Sequence, residues 1–390
     1  MDKENELIDE ILKNVDFGED EYDPSERAAE LYNEGDYAGA VKLWSEAAED
    51  GDAYAQTCLG ICLLKGEGIE KDEACAVEQF KTAAEQGYPQ AFYELATCLF
   101  KGVGIAADAD DALNYLKKAA ECEIAPAQYD LGKMYDEGNG VPKNYAAAVE
   151  LFKKAAEQGY PKAQNEYGWC FVVGKAVKKD LREAGRWFRR AAEQGDVRAQ
   201  YNLGMCYENG YGMSEDAGKA FKWHLKAAEQ GDDRAQLHTG WNYLMGNGVK
   251  ADGSEALKWF RRSAMQGNSQ AISEIGYCHQ NGIGTKKNRE EAVKCYRTAA
   301  EAGNAMAMYN LACCYRHGVG VKKDSLTAVE WYIKSAANGE TDAMLSLAYM
   351  YEHGKGIKKD LKLAADWYKK AADVGNEGAA QILQKKKFKK

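Results

Sequence analysis

Small and apolar residues recur along this chain in a block that returns every 36 residues. The segment Ala47-Ala48-Glu49-Asp50-Gly51 comes back as Ala83-Ala84-Glu85-Gln86-Gly87, then in recognisable form ending at 123, 159, 195, 231, 267, 303, 339 and 375. With each terminal residue taken as position 0, only Glu123 breaks the run of glycines. Position 4 is alanine from Ala55 to Ala379, and position 33 is alanine from Ala48 to Ala372. Apolar or small residues at positions 4, 5, 8, 9, 11 and 12 mark one face of a first helix. A second helix buries a stripe through positions 25, 26, 29, 32 and 33.

Local rules place the helix ends. Asp52, Asp196, Asp232, Asn268, Asn304 and Asn376 at position 1 accept from the free amides of a first turn, and Pro89 and Pro161 follow where a missing amide costs nothing. Glycine at position 15, from Gly66 to Gly354, supplies a left-handed stop. Position 17 is glycine except at Ala176, so the loop reads Gly-x-Gly-Val/Ile. Position 21 is always Asp or Asn, from Asp72 to Asp360, and caps the second helix. Position 29 carries a ring at Trp44, Phe80, Phe152, Phe188, Phe260, Tyr296, Tyr332 and Tyr368, filling the gap between helix layers beside the small residues.

These residues resemble the Sel1-like repeats, relatives of the tetratricopeptide repeat. The matching pattern is Ala127-Gln128-Tyr129-Asp130-Leu131-Gly132, then Gly-x-Gly-Val, Ala-x-x-Trp and Ala-Ala-Glu-Gln-Gly, over roughly residues 25–383. The expected fold is all-α, a right-handed αα-superhelix or solenoid of 36-residue helix-turn-helix repeats, each burying its stripe against its neighbours. Residues 24–51 have the short turn of an ordinary tetratricopeptide unit and suit a terminal cap. Residues 52–375 hold nine Sel1-like repeats, and residues 376–390 a closing helix and basic tail.

Helix geometry puts positions 3, 6, 10 and 13 opposite the buried face, toward a concave groove. Large rings occupy this stripe: Tyr93, Tyr129, Tyr201 and Tyr309 at position 6, and Trp169, Met205, Trp241, Tyr277 and Tyr349 at position 10. Lys162, Arg198 and Arg234 add charge at position 3 of three successive repeats. A basic edge beside an aromatic floor suits an acidic, extended peptide with apolar anchors, centred on Lys162 to Trp241. Tetratricopeptide relatives bind peptides at corresponding positions, and by that resemblance the chain is a protein–protein interaction scaffold or adaptor. The competing reading packs these rings between neighbouring first helices.

Composition narrows the partners. The 390 residues carry 61 acidic against 51 basic side chains, net -10, which argues against specific nucleic-acid binding. No stretch approaches the roughly 18 apolar residues of a membrane span, and the start lacks a secretory signal, so a cytoplasmic location is expected. Residues 1–23 hold ten acids and two lysines. A short helix over residues 6–15 would cap the first repeat; alternatively this segment folds into the basic-aromatic groove and competes with partners. The run at 385–390 reads as a solvated basic tail.

Catalysis has no visible apparatus, and no cofactor is expected. Six of the eleven cysteines (Cys62, Cys98, Cys170, Cys206, Cys278 and Cys314) share position 11, a slot for a compact apolar side chain. Cys58 with Cys62, and Cys314 with His317, are spaced to share a metal but lack a second ligand pair, so packing is preferred. His224, His238, His279, His317 and His353 fall at scattered repeat positions and form no His-Glu-x-x-His pair. His317 and His353 precede cap glycines and suit a helix end. Secreted cysteine-rich relatives bridge the two helices of each repeat, and this chain departs from that design; reduced thiols are expected. Some of those relatives have been described as binding or hydrolysing β-lactams, which makes β-lactam or peptidoglycan-fragment binding the alternative function. No serine here has the lysine three residues on that such chemistry needs.

Overall fold

The computed structural model describes residues 24–385. They form 21 α-helices and, among the described residues, no strand. The readings for residues 1–23 and 386–390 lie outside the described residues. The chain divides after Ala191 into two compact units.

The first unit opens with the helices Pro24–Glu34 and Tyr37–Glu49, joined by a tight turn in which Gly35 takes φ = 88°. The pairs Ala53–Lys65 with Glu73–Glu85, Pro89–Lys101 with Ala109–Glu121, and Ala125–Glu137 with Tyr145–Glu157 follow, then Pro161–Val173. Helix Leu181–Glu193 runs across the division. The second unit contains Val197–Asn209 with Ala217–Glu229, Asp233–Met245 with Gly253–Met265, and Ser269–Asn281 with Arg289–Glu301. Ala305–His317 with Ser325–Ala337, Thr341–His353 with Leu361–Asp373, and the closing helix Glu377–Lys385 complete it.

The expected caps are present. The Asp52 carboxylate accepts from the amides of Tyr54 and Ala55, Asp232 from Ala235, and Asn376 from Ala379. Second helices are held the same way, with Asp216 accepting from Lys219 and Asn288 from Glu291. The cap glycines are left-handed, Gly66 at φ = 74° and Gly246 at 75°, and their amides close the last turn. Where the sequence lacks glycine the chain keeps the same path: Glu123 sits at φ = 63° and Ala176 at 52°. Repeat geometry overrides the local preference at both points.

The buried face differs from expectation at position 5, which the sequence groups with apolar sites. Gln56, Gln128, Gln164, Gln200 and Gln236 are buried there, and each side-chain amide donates to the position-33 carbonyl of the preceding repeat at 3.1–3.3 Å. The glutamines at position 35 then donate back, as Gln86 does to Gln56 at 2.9 Å and Gln266 to Gln236 at 2.9 Å. A polar side chain is tolerated in the core because this ladder satisfies its hydrogen bonds, and in doing so it ties successive repeats.

In six repeats a glycine at position 9 makes room for the side chain at position 29, whereas Ala312 and Ala348 sit in the repeats of Tyr332 and Tyr368. Phe260 is fully buried against Gly240, where a Cβ would lie 2.5 Å from the ring. The absent side chain is the ring's socket.

Candidate functional site

The twelve residues expected to line the groove fall in both units. In the first unit Tyr93 is half-buried and its hydroxyl donates to Asp130 of the following repeat at 2.9 Å. Tyr129 is half-buried between Phe152 and Tyr160, with ring centroids 6.0 and 5.5 Å away. Lys162 is exposed, and Trp169 is 47% exposed, its ring 6.4 Å from that of Phe188 in a T-shaped contact.

In the second unit Arg198 and Arg234 are exposed. Arg234 pairs with Asp232 at 3.0 Å and lies 4.5 Å from the centre of the Tyr201 ring. Tyr201, Met205, Trp241 and Tyr309 are half-buried, whereas Tyr277 and Tyr349 are 42% and 39% exposed. The expectation that position 6 faces water is thereby corrected. Tyr93 and Tyr201 meet the next first helix, Tyr93 reaching Asp130 and Tyr201 reaching His238, because stacked repeats lay neighbouring first helices side by side. Position 10 is the more open stripe.

A depression of about 290 Å³ opens to solvent between helices Ala305–His317 and Thr341–His353. It is lined by Tyr309, Arg316, Asp342, Leu345, Ser346 and Tyr349, with the Arg316 guanidinium 5.2 Å from the centre of the Tyr349 ring.

Tyr201 and Trp241 border something the sequence reading did not identify. His224, from helix Ala217–Glu229, occupies position 29, where the other repeats place Phe, Tyr, at 44 Trp and at 116 Leu. It is fully buried, and neither ring nitrogen has a hydrogen-bond partner. The His238 ring lies 5.0 Å from it, and the Tyr201 ring 5.7 Å. His238 Nδ1 is 3.4 Å from Glu208 Oε2, while its Nε2 is 3.3 Å from the Tyr201 hydroxyl. Trp241 meets His238 edge-on at 5.0 Å. Burial, reinforced by His238, lowers the His224 pKa to about 4, so the ring is neutral at pH 7. A hydrogen bond from His238 holds the Glu208 carboxyl below its ordinary range. The sequence signal that marks this cluster is a histidine at position 29, where the other repeats carry Trp, Phe, Tyr or Leu.

All eleven cysteines are free thiols. The position-11 thiols are buried, and burial raises Cys98, Cys206, Cys278 and Cys314 to about 11 and Cys62 and Cys170 to about 12. They are packing residues and poor nucleophiles. His353 closes its own helix end, with Nδ1 3.0 Å from the Tyr349 carbonyl oxygen.

Paired helices stacked through a shared core make this an all-α repeat solenoid, a class that generally mediates protein–protein interaction and is typically non-catalytic. The Sel1 repeat family matches ten segments: 26–52, 53–88, 89–123, 125–160, 161–196, 197–232, 233–268, 269–304, 305–340 and 341–376. The chain belongs to that family. The first match takes in the short-turned unit that the sequence reading sets apart. Similar solved structures include a protective antigen present in uropathogenic Escherichia coli strains that displays an SLR fold, 35% identical, covering 87% of this chain and 80% of that one at a TM-score of 0.68. A Sel1 repeat protein from Oxalobacter formigenes is 36% identical over 63% of this chain and 96% of its own, with a TM-score of 0.59. No curated protein matches the chain. Among the described residues, no helix is long and apolar enough to cross a membrane.

Proposed function

We propose that the chain is a cytoplasmic adaptor that holds an acidic peptide segment with apolar anchors against its first helices. One observation carries the reading: the open depression between Ala305–His317 and Thr341–His353, where Tyr309, Leu345 and the half-exposed Tyr349 form an apolar seat beside the Arg316 guanidinium. Rings with an adjacent guanidinium are the residue types that dominate binding hot spots. A carboxylate beside an apolar anchor meets that seat with complementary charge. The exposed Tyr277 extends the same stripe within the second unit. Eleven free thiols support a reducing compartment.

Random peptides displayed on phage and selected on the immobilised full chain test this. The expected result is enrichment of acidic sequences around an apolar residue. A Tyr349→Ala, Arg316→Ala variant should lose about 2 kcal/mol, close to 30-fold in affinity. Enrichment that is absent, or equal on the variant and the parent chain, overturns the proposal.

A further inference from the structure

We propose that Glu208, His224 and His238 form a binding site for a divalent transition metal, zinc foremost, that staples two consecutive repeats. The site is separate from the peptide seat and needs none of its residues.

Orphaned polar atoms point to it. Eight buried side-chain nitrogen or oxygen atoms among the described residues make no hydrogen bond of good geometry, and six belong to Glu208, His224, His238, Thr239 and Asn242, with Glu208 Oε2 and His238 Nδ1 facing only each other at 3.4 Å. Both nitrogens of His224 are among them, in a slot where the other repeats place Phe, Tyr, Trp or Leu. A buried imidazole without a hydrogen bond is costly, and a metal is one of the few occupants that turns the cost into a bond.

The geometry fits. One ligand atom from each of the three residues lies within 4.8 Å of the others, and they are the single such group of three or more among the described residues. In a tetrahedral zinc site with bonds of about 2.0–2.1 Å, neighbouring donors sit about 3.4 Å apart. His238 Nδ1 and Glu208 Oε2 already stand 3.4 Å apart. Small side-chain rotations bring in His224.

The surroundings supply what a histidine ligand requires. With Nδ1 toward the metal, His238 carries its proton on Nε2 and donates it to the Tyr201 hydroxyl at 3.3 Å, which fixes tautomer and ring plane. The side chains of His238 and Glu208 are 16% and 33% exposed, so an ion has a route from solvent. Two imidazoles and one carboxylate favour zinc, cobalt, nickel, copper or iron over magnesium and calcium. Three protein ligands leave a further coordination position for water or an exogenous ligand. Glu208 and His224 come from one repeat and His238 from the next, so the ion would clamp the junction between them.

The test uses the full chain stripped with chelator and titrated with Co²⁺, then Zn²⁺, near neutral pH. The expected result is one Co²⁺ per chain with the strong visible absorption of low-coordinate cobalt, displaced by Zn²⁺. His224→Phe, which restores the usual ring, should abolish the band while the helical signal and its melt persist. His238→Asn, the residue found at this position in Asn202 and Asn310, gives a second variant and should do the same. Glu208→Gln should weaken binding at least about tenfold. His279→Ala and His317→Ala should leave the band unchanged. Absence of the band, its survival in both His224→Phe and His238→Asn, or its loss in His317→Ala overturns the site.

Discussion

Replacing His224 by Phe should stabilise the metal-free protein locally. His224 is fully buried with both ring nitrogens unpartnered, and the Gly204 backbone faces it as Gly240 faces Phe260. The socket therefore accepts a phenyl ring elsewhere in this same chain. Each unpaired buried polar group costs about 1–3 kcal/mol, and the larger ring gains contact, so about 2 kcal/mol is a conservative expectation for the gain. Long repeat arrays seldom unfold in one step, which makes a global midpoint a blunt reading. Hydrogen exchange followed by mass spectrometry, in chelator, reads the helices Val197–Asn209 and Ala217–Glu229 directly. A gain of about 2 kcal/mol slows their exchange about 30-fold if both open through the same local fluctuation. Faster exchange in the variant would refute the reasoning, because it would mean that the His224 nitrogens are well bonded in solution. With zinc added, the same proposal reverses the order: the parent chain gains protection and the variant does not.

Three further outcomes are expected. Gly240→Ala places a Cβ 2.5 Å from the Phe260 ring and should cost about 1–3 kcal/mol in urea denaturation, with Phe260→Leu restoring part of it, as Ala96 already coexists with Leu116. Glu123→Gly and Ala176→Gly relieve left-handed backbones at φ = 63° and 52°, and each should stabilise the chain by about 1 kcal/mol in the same assay. The Asp216 carboxyl, accepting from the backbone amide and then the side chain of Lys219, and the Asp324 carboxyl, accepting from the Thr327 hydroxyl and then its amide, lie below the ordinary 3.8. Their stabilisation is complete above about pH 5 and disappears as pH falls through the depressed values. Circular dichroism of an Asp216→Asn, Asp324→Asn variant should therefore show a deficit against the parent at neutral pH that vanishes in acid; a deficit independent of pH contradicts the assignment.

Most of the helical register was legible because its causes are local. A cap such as Asp72 or Asn288 acts on amides two or three residues away, and Gly66 ends a helix through its own φ, so one repeat suffices to read them and ten repeats remove ambiguity. The exposure expected of position 6 was misjudged, because 100° per residue describes an isolated helix. In the stack the following first helix lies alongside, so Tyr93 meets Asp130 and Tyr201 meets His238, one repeat and one residue further on.

Glu208, His224 and His238 lie on three different helices, and no spacing motif joins them. Their approach follows from how a first helix packs on its own second helix and on the next first helix, a distance set by side-chain packing between repeats. Periodicity along the chain therefore specifies each helix, its ends and its buried stripe, since those depend on neighbours in sequence. Which polar groups share one buried space depends on neighbours across the stack, and only the packed repeats bring two imidazoles and a carboxylate to within 4.8 Å.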